Sequence, residues 1–337
     1  MEKKETQVII GSDSDIVYSS FYIQGLCRLF GKRNVRFGRI EGKPAQSGSL
    51  SFVLYREGRQ ERKYAISLAD SYKVDESLYD WCDAYGSVNA NFAKTPEQFH
   101  GKLVALCPSF GVRLWSQPRA LLYALSDADK DMSIKKRLGK ALRMLHRPTY
   151  EDYSPSAVSD RCVFFLSTLW YNDEWNKNDE GVNARRASFI RACRELNGEV
   201  NFEGGLVSQG RERSSEALFA DCLCESVPMK EWLEKTKRSV LVFNTPAFWD
   251  CHGWKLGEYL AMGKCIVSTK LSNDLPVPLE HGKNIHFVEN SQEAMKESVK
   301  YIIDHPEYRM MLEQGARSYW EAYGTPVASL RLLGIER

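Results

Sequence analysis

The sequence predicts an α/β protein built as two Rossmann-like domains facing a cleft. Three observations lead there. Short apolar runs alternate with amphipathic stretches along most of the 337 residues, the pattern of a parallel sheet covered on both faces. The length exceeds what one core usually holds, which argues for two domains. The alternation breaks once, at residues 147–160 (RPTYEDYSPSAVSD), where prolines and small polar residues replace any hydrophobic period. The expected division is therefore 1–150, 160–318 and a C-terminal segment 319–337.

The first half opens with QVII, a strand ending in GSDSD. Tyr18, Phe21, Tyr22, Gly25, Leu26 and Leu29 then recur at helical spacing, and VRFGRI follows as a second strand, the start of a βαβ unit. SFVLYREGRQERKYAISL alternates on both sides of a Glu57-Gly58 turn and reads as a hairpin or long strand pair. VDESLYDWCDAYGSVNANF is a short helix leading into a strand, KLVALCPSFG a buried strand, and helices follow near 117–127 and 133–146. In the second half RCVFFLSTLW is a strand and ARRASFIRACREL a helix. EVNFEGG is a strand ending in glycines, MKEWLEKTKR a helix and SVLVFN a strand. After another helix come the strands KCIVS and NIHFV and a helical tail from about 291 to 323.

Composition narrows the function classes. Apolar content of 43%, charged content of 27% and a net charge of +2 suit a globular enzyme and give no global reason to expect nucleic acid. No apolar run approaches the roughly 20 residues of a membrane span. MEKKETQVIIGSD reads as a first strand and turn, not a signal peptide. Nine scattered cysteines fit reduced thiols and a cytoplasmic location. Cys222-Leu223-Cys224 lacks zinc spacing. The turn GSDSDI lacks the glycine fingerprint of a dinucleotide site.

The most informative stretch is residues 248–268, FWDCHGWKLGEYLAMGKCIVS. In open α/β sheets ligands bind at the carboxyl ends of strands, where helix N-termini point. The helix after SVLVFN begins near Gly253. Its first N–H groups lack intrahelical partners and suit a phosphate. Gly253 admits close approach, and Lys255 adds a full charge in the first turn. Glu258 lies one turn deeper, where a carboxylate suits a diol such as a ribose better than an anion. Leu256 and Leu260 share the face that packs on the sheet.

These residues resemble the signature of retaining glycosyltransferases of the GT-B fold, the group 1 type with Glu-x7-Glu followed by a small-residue pattern. Glu258-Tyr-Leu-Ala-Met-Gly-Lys-Cys-Ile-Val matches its second half, and the first acidic position is Asp250, giving Asp-x7-Glu. The resemblance covers mainly residues 160–320. It implies that Glu258 holds the nucleotide ribose and that Asp250 lies against the donor sugar, as the catalytic residue. Asp is one methylene shorter than Glu. The basic pair which that family places after the first strand of its second domain has only Arg185 and Arg186 as candidates here. The leaving diphosphate would be stabilised without a metal by the helix N-terminus, Lys255 and one of these arginines. Retention at the anomeric carbon is implied by the resemblance only.

Other residues admit two readings each. Asp250 caps the helix or meets the donor. His252 is a loop imidazole or a donor to phosphate or sugar. Trp254, like Trp249, packs or carries a sugar. Asn244, Thr245 and Pro246 form a turn after the strand or contact the donor, and Thr168 ends the strand RCVFFLST beside them. Ser12 and Asp13 line an acceptor site; an Asp13-Ser14-Asp15 metal site is the rival reading. Asp83 and His100 are acceptor-side residues or structural hydrogen-bonding groups. In SIKKRLGKALRMLHR (133–147), Ile134, Leu138, Ala141, Leu142 and Leu145 form one stripe among six basic residues. It is a surface helix packed through that stripe, or a basic amphipathic helix resting on an anionic membrane at its cytoplasmic face.

The expected function is transfer of a sugar from a nucleotide-sugar donor to a glycan or lipid-linked glycan acceptor, with no cofactor beyond the donor and no nucleic-acid partner. The first domain would bind acceptor and the second donor. The rival is a non-catalytic nucleotide- or carbohydrate-binding module of the same fold. An epimerase of the same shape would need an acid/base set not located in the sequence.

Overall fold

The computed structural model describes residues 6–44, 48–56, 59–125, 133–171, 181–210 and 213–336. The Glu57-Gly58 turn, the end of the 117–127 helix and residues 172–180, just ahead of the arginine pair, lie outside the described residues. The chain divides into two compact units. One comprises 1–152, 273–278 and 321–337, the other 153–272 and 279–320.

The first unit holds strands β1 (Thr6–Gly11), β2 (Val35–Gly38), β3 (Ser49–Arg56), β4 (Arg59–Ser67), β5 (Ala84–Ser87) and β6 (Leu103–Ala105). Its helices are α1 (Ile16–Phe30), α2 (Glu76–Trp81), α3 (Gln117–Leu125) and α4 (Ile134–Leu145). The six strands form one sheet in the order β2-β1-β3-β4-β5-β6. The hairpin makes this sheet mixed, where alternation alone implies a parallel one: β3 runs antiparallel to both β1 and β4, and the other pairings are parallel. Asp15 caps α1, accepting from Val17 N at 2.9 Å and Tyr18 N at 3.3 Å. Phe21, Tyr22, Gly25, Leu26 and Leu29 of α1 are buried as their spacing predicts, whereas Tyr18, the first of the series, is exposed. Gly25 has a specific reason to be glycine. A Cβ there would come within 2.5 Å of the Pro326 carbonyl oxygen.

In the second unit β7 (Cys162–Thr168), β8 (Asn201–Val207) and β9 (Leu223–Cys224) form one parallel sheet. A second parallel sheet consists of β10 (Val242–Asn244), β11 (Ile266–Ser268) and β12 (His286–Phe287), and β10 lies beside β7. The helices are α5 (Val182–Glu195), α6 (Arg213–Leu218), α7 (Met229–Arg238), α8 (Trp254–Ala261), α9 (Gln292–Asp304) and α10 (Pro306–Tyr319). The predicted tail is thus two helices, divided where Pro306 starts the second. The last helix, α11 (Pro326–Leu332), belongs to the first unit. One core joins both sheets of the second unit, with Phe189 stacked on Phe243 at 4.4 Å and Phe165 edge-on to both. The glycines of EVNFEGG do not end their strand. Gly204 sits inside β8 at φ +113°, and a Cβ there would lie 2.0 Å from the Phe165 carbonyl oxygen, so only glycine lets β8 approach β7.

Helix α4 corrects the packing stripe expected from its sequence. Its buried side chains are Arg137, Ala141 and Met144, whereas Ile134, Leu138 and Leu142 are 57%, 39% and 49% exposed. Two anchors account for this roll of the helix. Lys140 pairs with Asp15 at 3.5 Å, and Arg147 donates through Nε to the Gly111 carbonyl at 3.0 Å. Small Ala141 and flexible Met144 permit the close approach.

Candidate functional site

The carboxyl ends of β7 and β10 open on a cavity of about 330 Å³ in the second unit. That is within the range of small-molecule sites. Ser167, Thr168 and Trp170 line it from β7 and its exit, Asn244, Thr245 and Ala247 from β10 and its exit. Gly253, Trp254 and Lys255 bring in the start of α8, and Arg186 reaches in from α5.

The local sequence explains how the floor is built. Gly253 is the N-cap of α8, with extended backbone (φ −68°, ψ 159°) and no side-chain cap. A Cβ at Gly253 would meet only Ala247 Cβ, at 3.8 Å. The fold therefore does not need glycine here, and its absence of a side chain leaves the helix N-terminus open to the cavity. Asn244 Nδ2 donates to Ser268 Oγ at 3.0 Å, and the Thr245 and Thr269 hydroxyls bond at 2.8 Å, tying the exits of β10 and β11 together. Asn183 pins the exit of β7. It accepts from Trp170 N at 3.1 Å and donates to Trp170 O at 2.7 Å.

The charge of the cavity wall is positive. Among the described residues, its lining contains Arg186 and Lys255 and no carboxylate. Arg186 is buried and donates to the Thr168 carbonyl at 2.8 Å; burial pulls its pKa down to about 10, opposed by Tyr259 and Cys251. The Lys255 ammonium donates to the Leu166 carbonyl and lies over the Phe165 ring at 5.1 Å. Burial first and the neighbouring Arg186 second, against the opposition of Glu258, lower its pKa to about 7. Two cations that destabilise one another at the head of a helix form a site that an anion would relieve.

Glu258 is buried on α8 and does not line the cavity; its Oε1 accepts from the Tyr153 hydroxyl at 3.2 Å. Asp250 is half-buried in the turn before α8 and also lies outside the lining. Trp249 and Asp250 are consecutive left-handed residues, φ +53° and +62°, a conformation costly for any residue but glycine. His252 and Pro246 are buried in the same connection without lining the cavity. Of the arginine pair only Arg186 reaches it.

The four acceptor-side candidates belong to the first unit. Ser12 N donates to Gly38 O, and Asp13 pairs with Lys43 at 2.5 Å. Asp83 Oδ2 accepts from Lys63 N at 2.7 Å, which gives it a structural bond to the middle of β4. His100 Nε2 meets the Thr95 carbonyl at 2.9 Å beside the Phe92 ring. Sequence reasoning missed Ser167, Trp170 and Ala247 in the lining, Tyr153 on Glu258 and Asn183 behind Trp170. Only the first two carried a signal, standing at a strand exit beside Thr168.

No family model matches the chain, and no curated protein matches it. Solved structures do resemble it. A glycosyltransferase from Rickettsia africae ESF-5 aligns at 13% identity over 77% of this chain and 66% of its own, with a TM-score of 0.43. Anabaena Alr3699/HepE in complex with UDP and glucose aligns at 11% identity over 77% of this chain and 64% of its own, with a TM-score of 0.44. A putative UDP-N-acetylglucosamine 2-epimerase from Listeria monocytogenes aligns at 15% identity over 77% and 60%, with a TM-score of 0.39. The chain spans less than two thirds of the length of each. Likeness at this level carries no residue's role across to this chain.

Proposed function

We propose that the cavity binds the diphosphate of a nucleotide sugar and that the protein is a glycosyltransferase. The observation that carries the reading is the union of an open helix N-terminus at Gly253 with the cationic pair Arg186 and Lys255 in one cavity wall. Diphosphate oxygens would accept from the first amides of α8, from the Arg186 guanidinium and from Lys255, which an arriving anion would hold protonated. The same groups would stabilise the negative charge that grows on the diphosphate as its bond to the sugar breaks. This supplies positive charge from the protein itself, and no metal is assigned a role. Glu258, oriented by Tyr153, is the proposed ribose ligand. Asp250 is the proposed residue at the donor sugar. Retention is proposed from the resemblance of Asp-x7-Glu alone, and a glycan or lipid-linked glycan is the proposed acceptor, carried by the first unit.

Titration calorimetry with a panel of nucleoside diphosphates tests this. Binding of at least one of them, weakened by Arg186→Met and by Glu258→Gln, is expected. No binding to any, or binding unchanged in both variants, refutes the donor site. The position of Asp250 outside the cavity lining favours a second reading, a binding module without turnover. Incubation with the bound nucleotide sugar and no acceptor separates the two. Release of free sugar supports the enzyme, its absence over days the binding module.

A further inference from the structure

We infer that the paired helices α3 and α4 form a docking surface for an anionic lipid bilayer. This is independent of the donor site. Ile134, Leu138 and Leu142 recur every fourth residue, so they form one row along α4, about 12 Å long at 1.5 Å per residue. All three are exposed. Leu121 and Leu122 on the adjoining α3 are exposed by 50% and 67%. Burial of this row inside its own unit would have made α4 an ordinary surface helix; the Lys140–Asp15 and Arg147–Gly111 anchors instead turn a different face inward.

Charge identifies the occupant. Residues 133–147 contain six lysines and arginines and no acidic residue. Arg137 is buried, Arg147 is held by Gly111 and Lys140 by Asp15, which leaves Lys135, Lys136 and Arg143 as the exposed cations of the helix. Lys135 and Arg143 follow Ile134 and Leu142 directly, so a cationic row runs beside the apolar one. A polyanion such as nucleic acid would meet the cations and leave the apolar row in water. A second copy of the surface would bring like charges together. A bilayer with anionic headgroups covers both rows at once, with aliphatic side chains at the acyl boundary and ammonium and guanidinium groups among phosphates.

The test is co-sedimentation of the whole chain with phosphatidylcholine vesicles, with and without phosphatidylglycerol. Two variants accompany it: Leu138→Ser with Leu142→Ser, and Lys135→Glu with Lys136→Glu and Arg143→Glu. All five side chains are exposed, so both variants should keep the wild-type melting temperature, which is checked first. The wild type should sediment with anionic vesicles and be released by salt. Each basic side chain lost should weaken partitioning about fivefold and each glutamate adds repulsion, so the triple variant falls by at least about 100-fold. The leucine pair should fall by roughly tenfold. Failure of the wild type to sediment with anionic vesicles overturns the inference. So does sedimentation equal in both variants, or a lipid-free dimer that the leucine substitutions dissolve.

Discussion

Replacing Gly253 by valine separates the demands of the fold from those of a ligand. The backbone there is extended and open to any L-residue, and the nearest neighbour of a new Cβ is Ala247 at 3.8 Å. Losing glycine restricts the unfolded chain, which stabilises by about 0.4–1 kcal/mol. Valine is a poorer N-cap than glycine, which costs a similar amount. The two nearly cancel, and a net change within about 0.5 kcal/mol moves the melting temperature by roughly 2 °C or less. The effect on a diphosphate is of another order. Branched methyl groups at the cap stand over the amides that would receive it, and each charge-assisted hydrogen bond lost costs about 1.5–3 kcal/mol, a 10- to 100-fold weaker Kd. Gly253→Ala, with one carbon, should fall between. Calorimetric titration of the best-binding nucleotide against all three proteins, with melting curves on the same samples, reads both quantities. Unchanged affinity in Gly253→Val would refute the placement of the anion at this helix end. A large loss of melting temperature would refute the account of the glycine.

Two more expectations follow from groups in the second unit. Lys255 titrates near pH 7 in the folded protein against an ordinary value of 10.5, so between these values the unfolded chain binds the extra proton. Stability from this group therefore rises with pH from about 7 to 10.5, and the penalty of the buried charge is fully present below 7. Urea unfolding across that range should show a shallower pH slope in Lys255→Met, and an equal slope contradicts the burial argument. Gly204→Ala should abolish folding or cost well over 3 kcal/mol, since a Cβ 2.0 Å from the Phe165 carbonyl cannot be accommodated without separating β7 from β8. A soluble, cooperatively melting variant near wild-type stability would show that the strands part easily.

Much of the architecture could be read from patterns that are local along the chain. The strand after RPTYEDYSPSAVSD, the hairpin around Glu57-Gly58 and the helix starting at Gly253 each carry their signal within about 20 residues. What could not be read is long-range or rotational. Nothing near Tyr153 announces that its hydroxyl meets Glu258, 105 positions away. Arg185 and Arg186 look alike in sequence, and only the roll of α5 decides that Arg186 faces the cavity. Periodicity groups Ile134, Leu138 and Leu142 on one side of α4, yet it does not say whether that side is covered. Asp15 and Gly111 settle this from elsewhere in the chain. The glycines of β8 were visible as residues, but their reason, the proximity of Phe165, belongs to the neighbouring strand.

The seat of α11 on α1 bears on how this protein is made. Gly25 leaves the gap that the Pro326 turn fills, some 300 residues later. On a ribosome, the first helix emerges long before the piece that closes over it, and residues 273–278 arrive in between. The N-terminal unit must therefore wait, with the side of α1 around Gly25 uncovered, while the other unit is being synthesised from start to finish. A break at residue 152 would give one fragment missing its lid and another carrying that lid with nothing to close.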